Sequence, residues 1–202
     1  MTGTFRQWFL LVGCGLYLAG LATSAVNGSD TIDPNNDGSQ YAWADNVGWL
    51  NAEPLGDGGP GMQVLDTRVE GWLWLENAGW ISLSCHNTDS CLSIDFEVTL
   101  DGSGALAGYG WSENLGWISF SCANTDSCAA VNYGVTIDPV TGEFSGFAWA
   151  ENFGWISFSC ENTESCATVD YRVVTEIPFP GELPFSDGFD SGDTSRWSAT
   201  VP

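Results

Sequence analysis

Apolar and polar positions alternate in short bursts along this chain, and the bursts recur. From Asn132 the sequence reads NYGVTI, DPVTG, EFSGFAWA, ENFG and WISFSC. A period of two sends successive side chains to opposite faces of an extended strand, so this stretch predicts three strands and two turns. Asp138, Pro139 and Gly142 suit a type I turn followed by a glycine at positive φ, and Asn152 and Gly154 bring the same chemistry to the second turn. The strands are rich in Trp, Phe, Val, Ile, Tyr and Thr, and no helix is predicted.

One twelve-residue phrase occurs four times: YAWADNVGWLNA from Tyr41, GWLWLENAGWIS from Gly71, GYGWSENLGWIS from Gly108 and GFAWAENFGWIS from Gly146. Its second tryptophans, Trp49, Trp80, Trp117 and Trp155, lie 31, 37 and 38 residues apart, so the first unit is the shortest. Such self-similarity marks a repeat architecture in which each unit is one supersecondary element buried against its neighbours. Each phrase predicts a tight hairpin between two Trp-bearing strands, turning at Asp45, Glu76, Glu113 and Glu151 and their following glycines.

The fold class expected is therefore all-β, with tandem antiparallel three-stranded meander repeats of about twelve strands, arranged as a stacked array or sandwich. A closed four-bladed ring is the alternative, because a last strand at 169–174 is placed to complete the short first unit. Pairing Ala150 with Trp155 across the turn puts Phe147, Trp149, Ile156 and Phe158 on one core face, with the second tryptophans on the other among Ala and Ser. A one-residue change of register exchanges the two faces.

Charge changes the picture of partners. The chain has 26 acidic residues against four arginines and no lysine, a formal net charge of −22 over 202 residues. A polyanion such as nucleic acid is repelled by such a surface. At the N-terminus, Arg6 precedes the apolar run WFLLVGCGLYLAGLA and the small residues Ala22, Thr23, Ser24 and Ala25, which reads as a secretory signal peptide over 1–25. Leu11, Val12, Gly13 and Cys14 form a minor lipobox alternative, and no span crosses a membrane in the mature chain. The expected organisation continues with an acidic linker (26–40), a four-unit repeat domain (41–175), a Pro-rich linker (176–186) and a C-terminal tail (187–202).

Without the leader, six cysteines remain, in CHNTDSC from Cys85, CANTDSC from Cys122 and CENTESC from Cys160. An even number in an exported chain implies disulfides, most simply the local pairs Cys85–Cys91, Cys122–Cys128 and Cys160–Cys166. Zinc is the rival, but the C-x5-C spacing is wide for a metal finger and His86 is the chain's one histidine.

The string YGVTIDPVTGEFSGFAWAENFGWISFSC resembles a tandem repeat of bacterial secreted and surface proteins, of the form YGVxIDxxTGxxSGxAWxENxGWIxF. The likeness covers roughly 41–175, with the first copy departing at Asp45 and Leu50. DGFDSGDTSRWS in the tail is similar to a DGFESGDTSxWS segment that ends many exported bacterial proteins, with Asp190 in place of Glu. These resemblances imply export through the general secretory route and display at the cell surface; they imply no activity.

Candidate sites are few. DPNNDG places Asp33, Asn35 and Asp37 like the opening of a calcium loop, a candidate Ca2+ position, although Ala44 stands where the bidentate carboxylate belongs. Trp49, Trp80, Trp117 and Trp155 form either packing ladders or a platform on which sugar rings stack. No nucleophile motif is present, and the four turn carboxylates repeat one position rather than converging as a catalytic pair, so the chain is not expected to be an enzyme. The function expected is a secreted or surface-displayed, disulfide-stabilised structural or adhesive protein, with a carbohydrate-binding module as the alternative; its partners are glycans or cell-surface components.

Overall fold

The computed structural model describes residues 31–54 and 61–176. The expected signal peptide with Cys14, the expected Pro-rich linker after residue 176 and the expected tail 187–202 lie outside the described residues. Each phrase forms a hairpin, β1 (Tyr41–Ala44) with β2 (Gly48–Asn51), β4 (Arg68–Leu75) with β5 (Gly79–Ser82), β7 (Leu106–Ser112) with β8 (Gly116–Ser119) and β10 (Phe144–Ala150) with β11 (Gly154–Ser157). Three short strands stand between the hairpins, β3 (Met62–Val64), β6 (Val98–Leu100) and β9 (Val135–Ile137).

All pairing is antiparallel, but the units do not stack as an array. The hairpins join edge to edge in the order β1-β2-β4-β5-β7-β8-β10-β11, and β11 pairs back onto β1 through Trp43↔Ser157 and Ala44↔Ile156, closing an eight-stranded barrel. Closure removes both free edges, which an open array leaves exposed. The four-bladed ring comes nearer in its cyclic order; here, however, the strands form one continuous wall.

The turn register corrects the expected faces. Glu151, Asn152 and Phe153 form a three-residue loop, and Gly154 enters the ladder at φ 95°, opposite Ala150. Val47, Ala78 and Phe153 each donate an N–H to the last strand residue, three back, and the glycine supplies the bulge that matches this turn to the strand twist. Trp149 therefore faces Trp155, and Ala148 faces Ile156. The core face is Ala148, Ala150, Ile156 and Phe158, while Phe147, Trp149 and Trp155 point outward.

Inside the barrel each cross-strand pair sets Leu50, Ile81, Ile118 or Ile156 against Ala42, Leu73, Gly110 or Ala148. Eight strands enclose a bore just wide enough for side chains to fill. Burying each of these four branched residues contributes about 1.5–3 kcal/mol. At the turn end, Asn46, Asn77, Asn114 and Asn152 each donate through Nδ2 to a carbonyl of the neighbouring turn, that of Phe153, Val47, Ala78 and Leu115 respectively, at 2.7–3.0 Å. These four amides tie the hairpins into a ring.

Strands β4, β7 and β10 bend where Gly71, Gly108 and Gly146 take φ 82–85°. Their C-terminal halves belong to the barrel, and their N-terminal halves pair with β3, β6 and β9 below it. Each glycine peptide is clamped by an asparagine from a cysteine loop: Asn87, Asn124 or Asn162 accepts the glycine N–H at 2.9 Å through Oδ1 and donates Nδ2 to the glycine carbonyl and to Ser82, Ser119 or Ser157. Beneath the barrel, Phe120, Phe144, Phe158, Leu83, Val135 and Ile137 continue the core.

The expected linker 26–40 is, from residue 31, part of the fold. Ile32 and Gln40 bridge to Thr175 and Val173, and Thr31 accepts the Val64 N–H, so the two ends of the domain close the lower layer. The described residues also contain three short 3-10 helices, Cys85–Thr88, Cys122–Thr125 and Cys160–Thr163, where no helix was expected. Ser84, Ser121 and Ser159 cap them, each accepting the N–H two residues on.

Gly108→Ala should destabilise by well over 1 kcal/mol, because φ 82° is strained for alanine and its Cβ would lie 2.1 Å from the Glu97 carbonyl oxygen. Gly102→Ala, with open space around its Cβ, should change the urea midpoint little. Ser112 faces the barrel interior where two other hairpins have alanine, and its hydroxyl is the one buried side-chain polar atom without a partner among the described residues. Ser112→Ala should stabilise the protein by about 1 kcal/mol in the same measurement.

Candidate functional site

With the bore filled by aliphatic side chains, the tryptophans form pairs on the outer wall. Trp43–Trp49, Trp74–Trp80, Trp111–Trp117 and Trp149–Trp155 meet with ring centroids 4.5–4.8 Å apart, tilted by 57–67°. A third aromatic two residues before the first Trp, Tyr41, Trp72, Tyr109 or Phe147, reaches the second at 6.0–6.3 Å. The expected sugar-stacking residues Trp49, Trp80, Trp117 and Trp155 are thus the central ring of each cluster. Trp80 and Trp117 keep 38 % and 41 % of their surface exposed, far from the near-complete burial of a core residue.

The disulfides close as Cys85–Cys91, Cys122–Cys128 and Cys160–Cys166. A ring of this size constrains the unfolded chain by about 2 kcal/mol on the chain-entropy account. Their local effect is positional. Each loop presents the asparagine that clamps a bent strand and, further on, an aromatic that packs edge-on against the second Trp: Phe96 on Trp117 at 5.4 Å, Tyr133 on Trp155 at 5.2 Å and Tyr171 on Trp49 at 5.5 Å. The motif alone did not reveal Phe96, Tyr133 and Tyr171 as site residues, though each sits five residues after the second cysteine of its loop.

Among the described residues, grooves open between neighbouring Trp pairs at two places. The larger, of about 930 Å³, runs between β8 and β10 and is lined by Phe96, Tyr109, Trp117, Tyr133, Trp149 and Trp155, with Asp95 and Glu151 among its polar groups. The smaller, of about 510 Å³, runs between β2 and β4 and contains Tyr41, Trp49, Trp74 and Tyr171 with Asp170 and Glu76. They are one site built twice: Tyr109, Trp117, Trp149, Glu151, Asp95 and Phe96 correspond in the repeat to Tyr41, Trp49, Trp74, Glu76, Asp170 and Tyr171. In the barrel order the two lie on opposite sides.

The tyrosines of the larger groove are held in place. Tyr109 donates its hydroxyl to the Asn124 carbonyl at 3.2 Å, and Tyr133 donates to Ser119 Oγ at 3.0 Å. Burial, and then the neighbouring Tyr133, push the Tyr109 phenol above its usual range, so it stays a protonated donor at neutral pH. Ser119, Thr125, Ser127 and Asn152 add hydroxyl and amide groups around the aromatic floor. Such a mixture of flat apolar rings and small polar groups holds a ligand by stacking and orients it by hydrogen bonds.

The Asp33 loop is separate from the grooves' aromatic walls. Asp33 is buried, and its two carboxylate oxygens accept from the Asp37 N–H, the Gly38 N–H and the Ser39 hydroxyl, each at 2.9 Å, while Asn35 and Asp37 lie at the surface. Each Asp33 carboxylate oxygen thus already accepts at least one hydrogen bond from its own loop. Two other groupings of potential ligands among the described residues, around His86 and Asp170, are built on half-cystines rather than thiolates. Among the described residues no helix is long and apolar enough to cross a membrane.

This defines a class: an all-β, disulfide-stabilised antiparallel barrel with recurrent tryptophan-lined grooves on its outer wall. No protein-family model, curated protein or solved structure matches the chain.

Burial raises the Asp33 pKa, but the hydrogen bonds from Asp37, Gly38 and Ser39 outweigh it and leave the carboxyl below its ordinary value. A depressed folded-state pKa contributes stability that is present above the unfolded value, about 4, and lost as pH falls through the folded one. Asp33→Ala should therefore be less stable than the native chain by about 2 kcal/mol at pH 7. That difference, followed by urea unfolding, should shrink as pH falls below about 4.

Proposed function

We propose that this protein is an exported adhesive module that binds carbohydrate through its outer tryptophan grooves. The carrying observation is that one aromatic groove is built twice, at equivalent repeat positions on opposite sides of the barrel. The interior is already filled by aliphatic and phenylalanine side chains, so half-exposed indoles on the wall are surplus to the packing of the core. Indole and phenol faces stack on the apolar faces of pyranose rings, and serine, threonine and asparagine groups beside them suit sugar hydroxyls.

Two sites on opposite sides suit adhesion. A module that engages two chains, or two places on one chain, gains avidity without any further contact. Export is supported by the three disulfides, which persist in oxidising compartments, and by the resemblances of repeat and tail to bacterial surface proteins.

The disulfide-bonded protein, titrated with a panel of polysaccharides while tryptophan fluorescence is followed, should give a saturable shift with at least one of them. Trp117→Ala should weaken that binding by about tenfold or more, the usual cost of removing an aromatic anchor. If no polysaccharide shifts the signal and acrylamide fails to quench it, the aromatic wall serves packing alone.

A further inference from the structure

We propose that the grooves select a cationic glycan, one built of protonated 2-amino-2-deoxyhexose units, over neutral or acidic ones. This rests on the carbohydrate reading above and names the ligand class. Each groove joins its aromatic wall to a turn glutamate and a loop aspartate, Glu151 with Asp95 in the larger and Glu76 with Asp170 in the smaller. None of the residues lining either groove is basic.

The charge argument separates the three classes of glycan. A chain with a net charge of −22 and no lysine repels an anionic polysaccharide and is indifferent to a neutral one. A polycation is drawn toward the same surface and gains again on contact, where an ammonium group beside an aromatic face and a carboxylate interacts with both. Groove size favours a sugar over a single ammonium head group. About 930 Å³ lies near the upper end of small-molecule sites, and Thr125 and Asn152 give it polar groups that a simple ammonium would leave unused.

The two grooves differ in strength. Arg172 lies 3.4 Å from Asp170 and offsets part of the charge at the smaller one. The corresponding repeat position beside the larger groove is Glu97, which adds charge of the attractive sign. The larger groove is therefore the tighter of the two.

The test compares two hexasaccharides that differ only in charge, the hexamer of glucosamine and its fully N-acetylated form, titrated calorimetrically into the intact disulfide-bonded protein at slightly acidic pH and low salt. The glucosamine hexamer should bind at least about tenfold more tightly than the acetylated one, and physiological salt should weaken it. Glu151→Gln should cost several-fold in affinity, and Trp117→Ala about tenfold or more. Glu113→Gln, at the same turn position but outside both grooves, should bind as the native protein does. Equal binding of the two hexamers would overturn the cationic selectivity and leave the carbohydrate reading standing. No binding of either would remove both. Polylysine bound equally well by the native protein and by Trp117→Ala, in place of the hexamer, would show attraction by charge alone and overturn the proposal.

Discussion

Everything in this fold follows from closing eight short strands around a narrow bore. Four-residue barrel segments leave room inside only for small and aliphatic side chains: Leu50, Ile81, Ile118 and Ile156 stand opposite Ala42, Leu73, Gly110 and Ala148. Indoles are too large for it. They go to the outer wall, where cross-strand pairing brings them together in pairs about 4.5–4.8 Å apart. A packing limit inside the barrel thus creates the aromatic surface outside it.

What holds the wall in register is polar. The turn asparagines link each hairpin to the next around the rim, and the cysteine-loop asparagines clamp the glycine bends where the strands leave the barrel. A side-chain amide offers a donor and an acceptor together, so one residue satisfies both the N–H and the C=O that a bent strand frees. The disulfides keep these amides in place. The same loops deliver Phe96, Tyr133 and Tyr171 to the grooves, so the elements that stabilise the barrel also shape the site.

Much of this was legible in the chain. The four phrases, the antiparallel hairpins, the turn at Asp138 with its hydrogen bonds to Val140 and Thr141, and the three local cystines all follow from short-range pattern and turn chemistry. The faces of the strands were not. Alternation assigns residues to two sides but leaves open which side is inner, and a bulge glycine such as Gly154 shifts the register by one residue, exchanging Phe147 and Trp149 for Ala148 and Ala150 in the core. The segment 31–40 also read as polar linker, because its role depends on bridges to residues more than a hundred positions away.

The sequence by itself determined the repeat unit, its strands and turns, its acidity and its disulfide pairs, since each depends on residues close together in the chain. Only the tertiary structure decided that the units close into a barrel rather than an array, that aliphatic and small residues pack within it and tryptophans outside, and that two equivalent grooves lie on opposite sides. Those outcomes depend on β1 meeting β11 and on how much volume eight strands enclose, and neither is a property of any single repeat.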